Sequence, residues 1–111
     1  MPKGERLRHR RKYAEGTLGP DKSFYFTGAE RKLRLRAQNL AVFTQIAEGI
    51  DEDTWLYHLR RGDYSQWMRE AIKDNQMAEE IASIERSPHM SASDTRTAVV
   101  DAVNRRYSGS G

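Results

Sequence analysis

The sequence predicts an all-α fold: a compact bundle of about five short helices carrying a basic, extended N-terminal arm. Three observations lead there. Beyond residue 29, apolar residues recur at spacings of three and four. Capping residues, glycines and a proline cut these runs into short lengths. The 111 residues, 37% apolar and 32% charged with a mean hydropathy of -0.88, leave room for one modest core with polar ends.

Residues 1–22 read as an arm and linker. They hold two of the three prolines and three of the eight glycines, with little apolar periodicity, so burial there cannot offset chain entropy. Lys3, Arg6, Arg8, Arg10, Arg11 and Lys12 are opposed only by Glu5. The first dozen residues therefore carry +5 of a chain whose net charge is +3, and the remainder is slightly acidic at −2. Gly16-Thr-Leu-Gly-Pro20 is a turn signal. Ser23-Phe-Tyr-Phe-Thr27 has the composition of a strand. No second strand is evident for it to pair with, so it reads as an extended plug that seats Phe24 and Phe26 in the body.

The helical domain spans 23–107. Its first helix is expected from about Ala29 to Glu48, on Leu33, Ala37, Leu40, Phe43 or Thr44, Ala47 and Ile50, with Val42 and Ile46 widening the stripe and Gly49 as the residue that stops it. Arg31, Lys32, Arg34 and Arg36 crowd its first turns, where positive charge opposes the helix dipole. This local rule is broken without an evident gain. Asp51 then caps a second helix, with Glu52 and Asp53 in its first turn and Trp55, Leu56 and Leu59 inward, ending at Gly62. Asp63 is expected to cap a third helix, with Gln66 completing a capping box and Tyr64, Trp67, Met68, Ala71 and Ile72 on its stripe. Asp74 or Asn75 opens a fourth helix on Met77, Ala78, Ile81, Ala82 and Ile84, which Ser87-Pro88 breaks. Ser91 or Ser93 caps the last helix, which runs to about Tyr107 with Ala98, Val99, Ala102 and Val103 inward. Residues 108–111, Ser-Gly-Ser-Gly, read as a disordered tail.

The absence of cysteine removes disulfides and thiolate chemistry, and fits a reducing compartment. The first residues lack the apolar stretch of a secretory signal, and no segment approaches the ~20 apolar residues that span a bilayer. A cytoplasmic protein is the expectation. No phosphate-binding loop, dinucleotide fingerprint or nucleophile elbow is present. His58 and Asp63 have the residue types of a general base, but no nucleophile or second base is set beside them by spacing. His9 and His89 have no second ligand at helical spacing. Asp51, Glu52 and Asp53 lack the alternation and glycine of a calcium loop. No catalytic residue, metal or cofactor is assigned.

Two surfaces remain. Tyr57, His58, Arg60, Arg61, Asp63 and Tyr64 surround the turn at Gly62 and combine the aromatic and arginine side chains that are enriched at protein interfaces. Trp55 and Trp67, twelve residues apart, either meet in the core or form a stacking platform, and the core reading is favoured. The second surface is the arm: Lys3, Arg6, Arg8, Arg10, Arg11 and Lys12 have the charge density that neutralises phosphates. The expectation is a non-catalytic helical binding or regulatory module that meets another protein, with homo-oligomerisation open. Nucleic-acid binding through the arm is the alternative.

Phe24-Tyr-Phe26, Leu33-Arg-Leu-Arg-Ala-Gln-Asn-Leu40, Ile46-Ala-Glu-Gly-Ile50, Asp53-Thr-Trp-Leu-Tyr-His-Leu-Arg-Arg-Gly-Asp-Tyr-Ser-Gln-Trp67 and Ile72-Lys-Asp74 also carry a resemblance. From about Ser23 to Tyr107 the chain resembles an uncharacterised bacterial helical domain found at the C-terminal end of some haloacid-dehalogenase-superfamily phosphatases. The resemblance implies an all-α accessory module. It does not transfer phosphatase activity: the nearest string to an Asp-x-Asp nucleophile, Asp51-Glu-Asp53, opens a helix, and no α/β pattern surrounds it.

Overall fold

Among the described residues, 13–15 are helical, and caps and side-chain periodicity place a two-stranded ribbon and then five helices from Leu40 onward. The computed structural model describes residues 13–30 and 34–107. The ribbon comprises β1 (Phe24–Phe26) and β2 (Leu35–Ala37), paired antiparallel with Phe24 opposite Ala37 and Phe26 opposite Leu35. The helices are α1 (Leu40–Gly49), α2 (Glu52–Arg61), α3 (Asp63–Trp67), α4 (Asn75–Glu85) and α5 (Ala92–Tyr107). A π-helical turn, Met68–Ile72, prolongs α3. The predominantly helical class matches the expectation. Among the described residues no helix is long and apolar enough to cross a membrane.

The expected helical start near Ala29 is corrected. Gly28 turns the chain with φ +77°, β2 occupies part of the anticipated first turns, and α1 begins only after Asn39. Leu33 lies outside the described residues. Two physical reasons account for it. Cations at Arg34 and Arg36 suit an extended edge better than the positive end of a dipole. Asn39 supplies the cap that Ala29 cannot: its Oδ1 accepts from the Val42 amide at 2.8 Å, and its Nδ2 donates to the Gly16 carbonyl at 2.7 Å. As a strand residue, Arg36 donates to the Leu18 carbonyl (2.7 Å) and to Ser23 Oγ (2.9 Å). Those bonds tie down the segment before β1. Tyr13, Ala14 and Leu18, read from composition as arm and linker, are buried against the body.

Two further caps differ from expectation. Gly49 is the last residue of α1, and Ile50 follows it in extended geometry (φ -69°, ψ 152°), so no left-handed glycine ends this helix. Its terminal carbonyls are met by Arg96 of α5 instead, whose Nη1 donates to the Ala47 and Ile50 oxygens at 2.9 and 2.7 Å. Asp63 does not cap α3. Gly62, left-handed at φ +74°, holds the cap position without a side chain. Glu85 of α4 substitutes for it from across the fold, accepting from the Ser65 amide at 3.0 Å and from Ser65 Oγ at 2.6 Å. The other caps are as read: Asp51 accepts from the Thr54 amide, Asp74 from Met77 and Ser91 from Asp94.

The core is aromatic at its centre. Trp55 stacks on Tyr64 at 4.4 Å, Tyr64 meets Phe43 edge-on at 5.7 Å, and Phe43 meets Trp67 at 5.2 Å. The two indoles are both buried, joined through Tyr64 and Phe43 rather than directly. Each indole N–H has an acceptor, Thr95 Oγ1 for Trp55 and the Lys22 carbonyl for Trp67. α5 packs against α1, α2 and α4, and α4 packs against α3.

Candidate functional site

α2 has two chemically distinct faces. Thr54, Trp55, His58 and Leu59 are buried. Glu52, Asp53, Arg60 and Arg61 are exposed, while Leu56 and Tyr57 are half-buried between them. Residues four apart on a helix are neighbours, so Glu52, Leu56 and Arg60 form one row and Asp53, Tyr57 and Arg61 the next. Acids at the start and arginines at the end both complement the helix dipole. This outer face and the turn Thr27–Glu30 border an open groove of about 960 Å³.

The inner face holds the turn in place through His58, which is only 4% exposed. Its Nε2 accepts from the Thr27 and Gly28 amides at 3.2 and 3.3 Å. Two donors on Nε2 place the ring proton on Nδ1, which donates to Asp63 Oδ2 at 2.8 Å. Thus the end of β1, α2 and the start of α3 meet on one imidazole. Gly28 is needed here: beyond its positive φ, a Cβ would come within 3.2 Å of Thr54 Oγ1.

Asp63 Oδ2 also accepts from Arg61 Nε at 3.1 Å, and the Arg61 guanidinium lies over the Tyr57 ring, 5.2 Å from its centroid. The hydrogen bond from Arg61 to Asp63 strengthens the guanidinium's hold on its proton. The side chains of Arg60, Glu52 and Asp53 make no hydrogen bond or ion pair with any described residue. Asp51 is held below the usual carboxylate range, chiefly by the hydrogen bond from the Thr54 amide.

Of the six residues expected at this surface, Tyr57, Arg60, Arg61 and Asp63 lie at the outer side of α2 and the Gly62 turn. His58 and Tyr64 do not. Tyr64 is fully buried, stacked on Trp55, and its hydroxyl donates to the Trp55 carbonyl at 2.9 Å. Burial pushes that hydroxyl far above its ordinary range. Their placement follows from helical phase: Tyr64 begins the inward stripe of α3, and His58 lies on the buried side of α2. Sequence reasoning missed Glu52, Asp53 and Leu56 as members of the surface, because the two acids were fully explained by the dipole. Their i,i+4 relation to Leu56 and Tyr57 was the available signal. The alternative set, Lys3, Arg6, Arg8, Arg10, Arg11 and Lys12, lies outside the described residues. Among the described residues, no group of three His, Asp or Glu side chains stands together as a metal site.

Fold and face together define a small, mainly helical domain that presents one helix of mixed charge. Residues 60–111 match a family of unknown function, DUF5752. That stretch starts at the end of α2 and takes in the Gly62 turn, α3, α4 and α5. No curated protein and no solved structure matches the chain.

Proposed function

We propose that the chain is a cytoplasmic, non-catalytic helical binding or regulatory module that acts through protein–protein contacts made by the outer face of α2. The observation that carries this reading is the division of labour on that helix. The groups with catalytic chemistry, His58, Asp63 and Tyr64, spend their polar atoms on the fold. Arg60, Glu52 and Asp53 stand outside with no described partner, beside a half-buried Leu56 and Tyr57. Apolar centre with charged rim is the anatomy of a protein interface. The likeness of residues 23–107 to a phosphatase-appended helical domain agrees with the role of an accessory module.

The test is capture of a partner by the immobilised chain. Arg60→Ala combined with Arg61→Ala is expected to weaken capture about tenfold or more. Melting should shift by no more than a few degrees, because both side chains are exposed. Undiminished capture, or loss of the fold in the double variant, would remove this face from the function.

A further inference from the structure

The outer face of α2 is complementary to itself. About a point midway between Leu56 and Tyr57, the order of side chains inverts charge for charge: Glu52 mirrors Arg61, Asp53 mirrors Arg60, and Leu56 mirrors Tyr57. A second α2 laid antiparallel across a two-fold axis through that point sets each acid against an arginine and the two apolar side chains against each other. Isologous dimers have this pairing, in which residue i of one copy meets j of the other and j meets i. We propose that the partner of this face is a second copy of the same chain, docked α2 on α2 in antiparallel register. The proposal rests on the binding-module reading and names its partner.

Among the described residues, none takes up the charged groups of this face apart from Asp63 on Arg61. The side chains of Glu52, Asp53 and Arg60 make no hydrogen bond or ion pair with a described residue. Arg61 uses Nε on Asp63, while its terminal nitrogens have no described acceptor. Asp63 and the Tyr57 ring hold that guanidinium at the end of the row, so less side-chain freedom is lost on docking. Leu56 and Tyr57, half-buried at the middle, supply the water-excluding centre. The charged pairs at the rim fix direction: a parallel arrangement would set acids against acids and arginines against arginines.

Area limits the strength. A ten-residue helix is about 15 Å long, and one such face against its copy falls below the roughly 1,200 Å² of total burial at which stable interfaces begin. The association is therefore weak and reversible. It weakens with salt, because its ion pairs are exposed and screened.

Sedimentation equilibrium on the full chain tests the arrangement. At low salt and submillimolar concentration a monomer–dimer equilibrium is expected, shifting to monomer at high salt. Asp53→Arg and Arg60→Asp should each weaken self-association about tenfold or more, since each puts like charges together twice. An equimolar mixture of the two variants should dimerise again, as should the double variant, because both recreate opposite charges across the axis. A variant that merely misfolded would not be rescued by mixing, and circular dichroism of each verifies folding. A wild-type chain that stays monomeric at low salt overturns the proposal, as does a dimer that survives both single changes. A response to Arg60→Asp without one to Asp53→Arg also overturns it, because Arg60 would then meet a different group of the second copy. In those cases, capture of a partner that still depends on Arg60 and Arg61 leaves the binding-module reading standing. Capture indifferent to them removes that reading as well.

Discussion

His58 shows how a residue with catalytic chemistry becomes a tie. Its two ring nitrogens serve three polar partners on two segments, and the ring itself packs edge-on to Phe24 at 5.3 Å. Replacing it with alanine removes the acceptor of the Thr27 and Gly28 amides and leaves Asp63 with Arg61 as its remaining partner. His58→Ala is expected to cost about 2–4 kcal/mol in urea denaturation. A loss below half a kcal/mol would mean that water replaces the ring at no penalty. Lys73 presents the opposite case. It is the one non-glycine residue with positive φ, at +65°, among those described, and it ends the π-helical turn. Its side chain is exposed, so Lys73→Gly removes backbone strain with little else to lose. A gain of about 1 kcal/mol is expected from thermal melting.

At the level of elements, the start of α1 depends on one side chain. Asn39→Ala should cost about 1–2 kcal/mol, since it removes both the cap on Val42 and the bond to Gly16. Two carboxyls of α4, Glu80 and Glu85, are displaced in opposite directions. The hydrogen bond from Arg106, reinforced by Arg105, holds Glu80 below the usual carboxylate range. Burial raises Glu85 above it, against the pull of the Ser65 hydrogen bonds. For Glu80 the folded state binds fewer protons than the unfolded state through the window, so its contribution is present above the ordinary carboxylate range and lost as pH falls. For Glu85 the folded state binds more protons, so stability drops as pH rises through its raised range. Glu80→Gln should flatten the acid side of a stability–pH curve, and Glu85→Gln the side nearer neutrality. Urea midpoints measured across the carboxylate range separate the two, and an unchanged upper limb in Glu85→Gln contradicts the assignment. Most element positions were legible in the sequence because their caps are local: Asp51, Asp74 and Ser91 each bond three residues ahead. Helix ends secured from a distance were not. Nothing near Gly62 points to Glu85, and nothing near Gly49 points to Arg96. The strand at Leu35–Ala37 was hidden because Ala37 and Leu40 also fit a helical stripe. The dipole conflict at Arg34 and Arg36 was its visible trace.

For the whole molecule, the helices are cross-braced by the segment before them. Tyr64 needs Trp55 and Phe24 for its ring contacts, and Trp67 needs the Lys22 carbonyl. The stretch that matches DUF5752 begins at residue 60 and includes none of these partners. A peptide of residues 60–111 is therefore expected to lack a cooperative melting transition, which calorimetry would detect. The outer face of α2 was half legible at this scale. The arginines and Tyr57 were found from residue type, but its acidic half emerged only once the helix showed which side faced outward.

The two indole hydrogen bonds reach toward opposite ends of the chain: Trp67 grips residue 22, and Trp55 grips residue 95. The molecule thus carries a pair of built-in optical sensors. With Trp55→Phe the remaining fluorescence reports release of the N-terminal segment, and with Trp67→Phe it reports detachment of the C-terminal helix. Comparing their transitions would reveal which end of the polypeptide lets go first.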